Sequence, residues 1–185
     1  MQGMQVTTSR EDIVVRNASR EDIHDVCRIY NFYVLREGDM TTFEEQAVDI
    51  DEMQRRYEHI SNKIRFPFIV ACIDGKVVGY AYAKFYSERS AYRYSAEDSI
   101  YCDPAYHRRG VGTVLMRELL RKLQIMGIKQ VVAVLGTLED NPGSFKIHSD
   151  FGFKQVALFK KIGFKWGVWV DRCHMQLSLL DADEG

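Results

Sequence analysis

Apolar residues recur along this chain in two rhythms, one of three to four residues and one of two, and their alternation lays out the elements. Ile13-Val14-Val15-Arg16 opens as a short strand. Ile23, Val26, Cys27, Tyr30 and Val34 then repeat at three- and four-residue spacing, the stripe of an amphipathic helix, with Ser19 and Asp22 placed as its capping box. After a loop over Gly38–Gln46, the residues Ile50, Met53, Tyr57 and Ile60 predict a second helix. Phe68–Ile73 and Val77–Ala83 flank Asp74-Gly75-Lys76, a strong hairpin signal. A strand over Ser95–Cys102 and a helix over Val111–Met126 follow, the helix ending at Gly127. Val131–Leu135 is short, continuous and β-branched, the signature of a strand covered on both faces. A short helix over Pro142–Phe151 stops at Gly152. Two last strands, Phe153–Phe159 and Val168–Leu179, are joined through Ile162–Gly167. The order β-α-α-β-β-β-α-β-α-β-β predicts one α/β domain over 13–180 with a mixed sheet, preceded by a flexible tail over 1–12.

Composition narrows the class. The chain has 185 residues, enough for one well-buried domain. Its 25 Lys and Arg against 26 Asp and Glu give no global charge to attract nucleic acid or an anionic membrane. No apolar run reaches the roughly 20 residues of a membrane span, and the polar start lacks a signal-peptide core. Cys27, Cys72, Cys102 and Cys173 are scattered without a C-x-x-C pair, which favours reduced thiols and a cytoplasmic protein. His59 and His174 have no partners at ligand spacing, so no metal site is expected.

The segment Asp103–Thr113, reading DPAYHRRGVGT, joins a predicted strand to a predicted helix. A helix start presents free N–H groups and the positive end of the helix dipole, so this place suits a phosphorylated ligand. No G-x-x-x-x-G-K-[ST] string is present, which excludes the P-loop. The dinucleotide fingerprint begins at Gly110-Val111-Gly112 but has Leu115 where its third glycine belongs.

The run resembles instead the Q/R-x-x-G-x-G/A motif of the GNAT acetyltransferase superfamily, with His107 in the slot usually held by Gln or Arg. The resemblance narrows to the phosphinothricin N-acetyltransferase group through Thr42-Phe43, Ala91-Tyr92, Ala96–Cys102 and Val131–Gly136. Asp140–Ser144, His148 with Gly152-Phe153, and Gly163–Asp171 extend it, so that it covers almost all of 13–179. It implies the GNAT fold, a mixed, mostly antiparallel sheet of six to seven strands flanked by about four helices. It also implies acetyl-CoA as acetyl donor, a small amine or amino-acid acceptor, and a homodimer, to which Trp166 and Trp169 could contribute an apolar contact.

Acetyl transfer to an amine needs a held donor, a base for the ammonium and hydrogen-bond donors for the tetrahedral oxyanion. By the resemblance, backbone groups of Ile100, Tyr101 and Cys102 bond the pantetheine arm. Arg108, Arg109, Gly110, Val111, Gly112 and Thr113 grip the pyrophosphate, and Asn141 and Ser144 complete the cofactor side. Glu97 is the candidate base; Asp98 beside it falls on the opposite strand face and is the weaker choice. His148 is the candidate acid to the thiolate. Ser90, Ala91, Tyr92 and Arg93 resemble the acceptor-contact segment, with Arg93 as carboxylate anchor, and Thr42 and Phe43 line the same cleft. The implied activity is acetylation of phosphinothricin, methionine sulfone or methionine sulfoximine. A peptide or protein amine acetyltransferase, or a coenzyme A-binding module without catalysis, are the alternatives.

Overall fold

The computed structural model describes residues 12–180, so all but the last residue of the predicted tail lies outside the described residues. The strands are β1 (Val14–Asn17), β2 (Phe68–Ile73), β3 (Lys76–Phe85), β4 (Ser95–Cys102), β5 (Gln130–Leu135), β6 (Lys154–Lys165) and β7 (Val168–Ser178). The helices are α1 (Ile23–Leu35), α2 (Ile50–Glu58), α3 (Val111–Ile125) and α4 (Pro142–Asp150). The strands make one sheet in the order β1-β2-β3-β4-β5-β7-β6, antiparallel throughout except for β4 against β5.

The sequence of β3 explains how both sheet faces are covered. Gly79, Ala81 and Ala83 point one way and Tyr80 and Tyr82 the other, as alternation requires. The small side lets α3 approach closely: a Cβ at Gly79 would stand 2.8 Å from Val111 Cγ1 and 3.1 Å from the Tyr101 carbonyl. Leu115, Met116, Leu119 and Leu123 of α3 are sealed there, each contributing roughly 1.5–3 kcal/mol of burial. The aromatic side packs under α1, where Tyr30 and Tyr33 meet Tyr101, which stacks on Tyr80. Ser19 and Asp22 form the predicted capping box, which starts a 3-10 turn leading into α1. Gly127 and Gly152 adopt the expected left-handed conformation after α3 and α4. Cys27, Cys72 and Cys173 are buried free thiols.

Two expectations are corrected. β6 does not stop at Phe159; it runs on to Lys165 and turns through Trp166-Gly167 alone, both at positive φ as a tight hairpin turn demands. The stretch 160–162 is a bulge, with Lys161 at φ 51°, pinned by Asp171, which accepts from the Lys161 N–H and from Lys160 Nζ at 2.8 Å each. β5 is not covered on both faces: Val131, Ala133 and Leu135 are buried, whereas Val132 and Val134 are only half-buried. Val134 lines a cleft.

Candidate active site

β4 and β5 pair only from Ser95–Asp98 against Gln130–Ala133. Beyond Asp98 they part, because β4 stays with β3 out to Cys102 while β5 stays with β7 out to Leu135. The β5-facing backbone edge of Ser99–Cys102 is left without a strand partner, an edge that can hydrogen-bond an extended ligand arm.

A groove of about 360 Å³ opens on one side of this splay, lined by Ile100, Tyr101, Cys102, the loop before α3, and Asn141 and Ser144 at the start of α4. Arg108 and Gly110 both have positive φ, at 62° and 90°. A Cβ at Gly110 would meet open space, so this glycine supplies conformation. Gly112 supplies room, since a Cβ there would stand 2.5 Å from Ile147 Cδ1. The N–H groups at the start of α3 have no intrahelical acceptors, and Val111, Gly112, Thr113 and the Arg108 side chain line the groove with them. This donor set fits a pyrophosphate. The Asn141 side chain caps α4 by accepting from the Ser144 N–H at 3.2 Å and also lines the groove.

On the α1 face lies a cleft of about 670 Å³, whose walls include Thr42, Phe43, Tyr82, Glu97, Ser99 and Tyr101. Thr42 is buried and bonds Tyr30 Oη at 3.0 Å. Glu97 is half-buried, with Lys84 across the ladder at 3.0 Å. A small cavity of about 40 Å³ in the splay touches Asp98, Ser99, Ile100, Val134, Ser144 and His148. Thr41 and Tyr101 line all three spaces. The groove and the cleft therefore meet over Ser99–Tyr101, with Glu97 on the cleft side.

Several residues stand differently from the sequence reading. Arg109 does not line the groove; its guanidinium sits 4.9 Å from the Tyr106 ring centre. His107 lines the groove, but its Nε2 is engaged. Tyr33 Oη donates to the Cys102 carbonyl at 2.5 Å, so the 3.0 Å contact to His107 Nε2 has the imidazole as donor. Ser90, Ala91, Tyr92 and Arg93 form an exposed 3-10 turn outside the cleft of the single chain. The β3–β4 connection folds toward the start of β5, where the Tyr94 carbonyl accepts from the Lys129 and Gln130 N–H groups. Arg93 lies over Tyr94 and donates to the Ser90 carbonyl, which does not suit a carboxylate anchor in that cleft.

His148, the candidate acid, sits behind the β4–β5 splay with its ring held on both sides. It is 1% exposed, and both ring nitrogens are committed: Nδ1 donates to the Ser144 carbonyl at 2.7 Å and Nε2 meets Asp98 Oδ2 at 3.0 Å. Burial pushes its pKa down, but the charge and hydrogen bond of Asp98, with the Ser144 carbonyl, more than reverse this and leave it raised. Asp98, ranked below Glu97 in sequence, is thus the buried partner of α4. Burial, with Asp103 nearby, pushes the Cys102 thiol up to about 12, which makes it a poor nucleophile. Sequence reasoning missed Arg172 and Lys165. Both are buried cations on the last hairpin, bonding the carbonyls of Met40 and Thr42 at 2.8 Å.

Residues 24–153 match the family model described as acetyltransferase (GNAT) family. The chain is similar to the phosphinothricin N-acetyltransferase of Alcaligenes faecalis, 36% identical over 96% of this chain and 88% of that one. It is 30% identical to the L-methionine sulfoximine/L-methionine sulfone acetyltransferase of Salmonella typhimurium, over 90% of this chain and 95% of the relative. A solved phosphinothricin acetyltransferase from Sinorhizobium meliloti, in complex with acetyl-CoA, superposes with a TM-score of 0.84 at 36% identity, covering 90% of this chain and 88% of that one.

Proposed function

The chain belongs to the acetyltransferase (GNAT) family, and from that premise we propose that it acetylates the α-amino group of phosphinothricin or a related amino acid such as methionine sulfone or methionine sulfoximine. The observation that carries this reading is the meeting of groove and cleft at the β4–β5 splay, with Glu97 on the cleft wall. Acetyl-CoA, when bound, supplies an activated thioester carbonyl.

In this reading Arg108 and the first-turn N–H groups of Val111, Gly112 and Thr113 hold the pyrophosphate. The open backbone edge of Ile100–Cys102 holds the pantetheine arm, and an N–H of that edge polarises the carbonyl. Glu97 takes the proton of the acceptor ammonium through a water molecule, leaving the amine to attack directly. As the C–N bond forms the thioester C–S bond breaks, and the coenzyme A thiolate departs and is protonated by solvent. Direct attack accords with the raised Cys102 thiol, which makes that groove residue a poor covalent nucleophile. His148 and Asp98 fix α4, and with it Asn141 and Ser144, against β4.

Two further parts of the proposal concern state and place. The β6–β7 hairpin exposes Leu158, Ile162, Phe164, Val168 and Trp169, an apolar surface suited to a second copy of the chain. Four free cysteines suit the reducing cytoplasm. A thiol-release assay over an amine panel tests the acceptor class. Turnover of amino-acid sulfones, sulfoximines or phosphinates supports it, and turnover confined to peptide amines contradicts it.

A further inference from the structure

The cleft is lined by four Lys or Arg side chains, and three of them are neutralised within it. Arg55 pairs with Glu52 at 2.9 Å, Arg56 with Glu44 and Glu52 at 2.9 Å, and Lys84 with Glu97 at 3.0 Å. Arg172 is the exception: no carboxylate stands within ion-pair distance of it among the described residues, although it is only 6% exposed. Asp39 and Asp140 are near enough to act on it electrostatically and too far to pair.

Its place follows from the ladder. Arg172, His174 and Gln176 alternate with the buried Cys173 and Met175 along β7, so they share the sheet face of Val134 and Tyr101. Leu135 pairs with Cys173, which sets Arg172 at the open end of the splay. Its Nη1 donates to the Met40 carbonyl at 2.8 Å and its Cζ lies 3.6 Å from the Phe43 ring centre. Those two contacts occupy one of the five guanidinium N–H groups. The remaining nitrogens are not sealed; the one buried side-chain polar atom without a partner among the described residues is Asp98 Oδ1. Arg172 lines the cleft.

A neutral donor could hold the Met40 carbonyl, and a ring contact offsets only part of the cost of burying a guanidinium. A permanent cation kept without a counter-charge, beside the point where acceptor and thioester meet, is what an anionic ligand requires. Guanidinium forks bind carboxylates bidentately, and in an α-amino acid the carboxylate is one carbon from the amine that reacts. We propose that Arg172 holds the α-carboxylate of the acceptor amino acid, an inference that rests on the amino-acid reading of the cleft. Arg172 then fixes the amine over Ser99–Tyr101, and acceptors without a carboxylate lose that hold.

The test compares methionine sulfone, its methyl ester and phosphinothricin as acceptors for the wild type, Arg172→Lys and Arg172→Met, with a melting curve for each variant. The ester changes amine basicity equally for every variant, so the change in acid-to-ester preference decides. The wild type is expected to prefer the acid by roughly tenfold or more in kcat/KM, the usual scale for a charged hydrogen bond. Arg172→Met is expected to lose that preference through KM, and Arg172→Lys to keep part of it. If Arg172→Met is unfolded by its melting curve, the acid-to-ester ratio of Arg172→Lys decides alone: an unchanged ratio overturns the proposal. An equal loss for acid and ester marks a mere support for the 40–43 loop and overturns it. Loss confined to phosphinothricin assigns the contact to the side-chain phosphinate and also overturns it. A wild type that acetylates acid and ester equally removes the anchor and leaves the amino-acid reading standing. A wild type that acetylates none of the free acids removes that reading and the proposal together.

Discussion

His148 Nε2 lies 3.0 Å from Asp98 Oδ2, and both side chains are sealed from solvent. This contact ties α4 to β4 beside the splay, and it sets a pH signature. The folded-state pKa of His148 is raised above its ordinary 6.5. The stability it contributes is therefore fully present below about pH 6.5 and is lost as pH rises through the raised folded value. Asp98→Asn is expected to cost about 3 kcal/mol at pH 6, the scale of a buried pair losing one partner. That deficit should shrink toward pH 9, as seen in urea melts across the range. A deficit that does not vary with pH would show that the imidazole carries no proton in this pair.

The left-handed turn at Gly110 is needed for its backbone shape, since a Cβ there meets nothing. Gly110→Val forces a β-branched residue to φ near 90°, at roughly 1–2 kcal/mol, and turns away the first N–H groups of α3. The KM for acetyl-CoA should rise about tenfold or more, with the acceptor KM within a few-fold of wild type. Initial-rate kinetics with each substrate varied separately check the split.

Gly163 makes the converse case. A Cβ there collides with the ring of Phe43, which lines the acceptor cleft. Gly163→Ala should displace Phe43 at about 1–3 kcal/mol of overpacking. The acceptor KM should increase while the KM for acetyl-CoA is unchanged. A variant that weakens both equally would mean that the hairpin supports the whole domain and not the cleft alone.

Trp169 is 63% exposed on the last hairpin, beside Phe164. Trp169→Asp places a charge in that apolar surface and is expected to sediment as a monomer, with the wild type expected to sediment as a dimer. A monomeric wild type would remove the dimer.

Most of the fold was legible because its signals are local. The spacing of Ile23–Val34, the Asp74-Gly75 turn and the glycines after α3 and α4 each depend on a few neighbouring residues. The last hairpin misled because Ile162–Gly167 reads as one connection, whereas only Trp166-Gly167 turns and 160–162 is a bulge stabilised by Asp171 across the ladder. The loop before α3 was legible as a motif, yet His107 is claimed by Tyr33, 74 residues away in sequence. Arg172 was hidden for the same reason, since its bond to Met40 spans 132 residues. Alternation placed Asp98 correctly on the face opposite Glu97, but nothing near it in sequence named His148 as its partner.

The most direct measurement is the initial rate of acetyl transfer from acetyl-CoA to methionine sulfone by the wild type and by Glu97→Gln, followed by thiol release and by the mass of the product. The expected result is N-acetylated product from the wild type, a rate lower by about 10²–10⁴-fold in the variant, and no acetylated enzyme at any time. Equal rates in the two proteins, or an acetyl group accumulating on the wild-type chain before the acceptor is added, would contradict direct transfer with Glu97 as base.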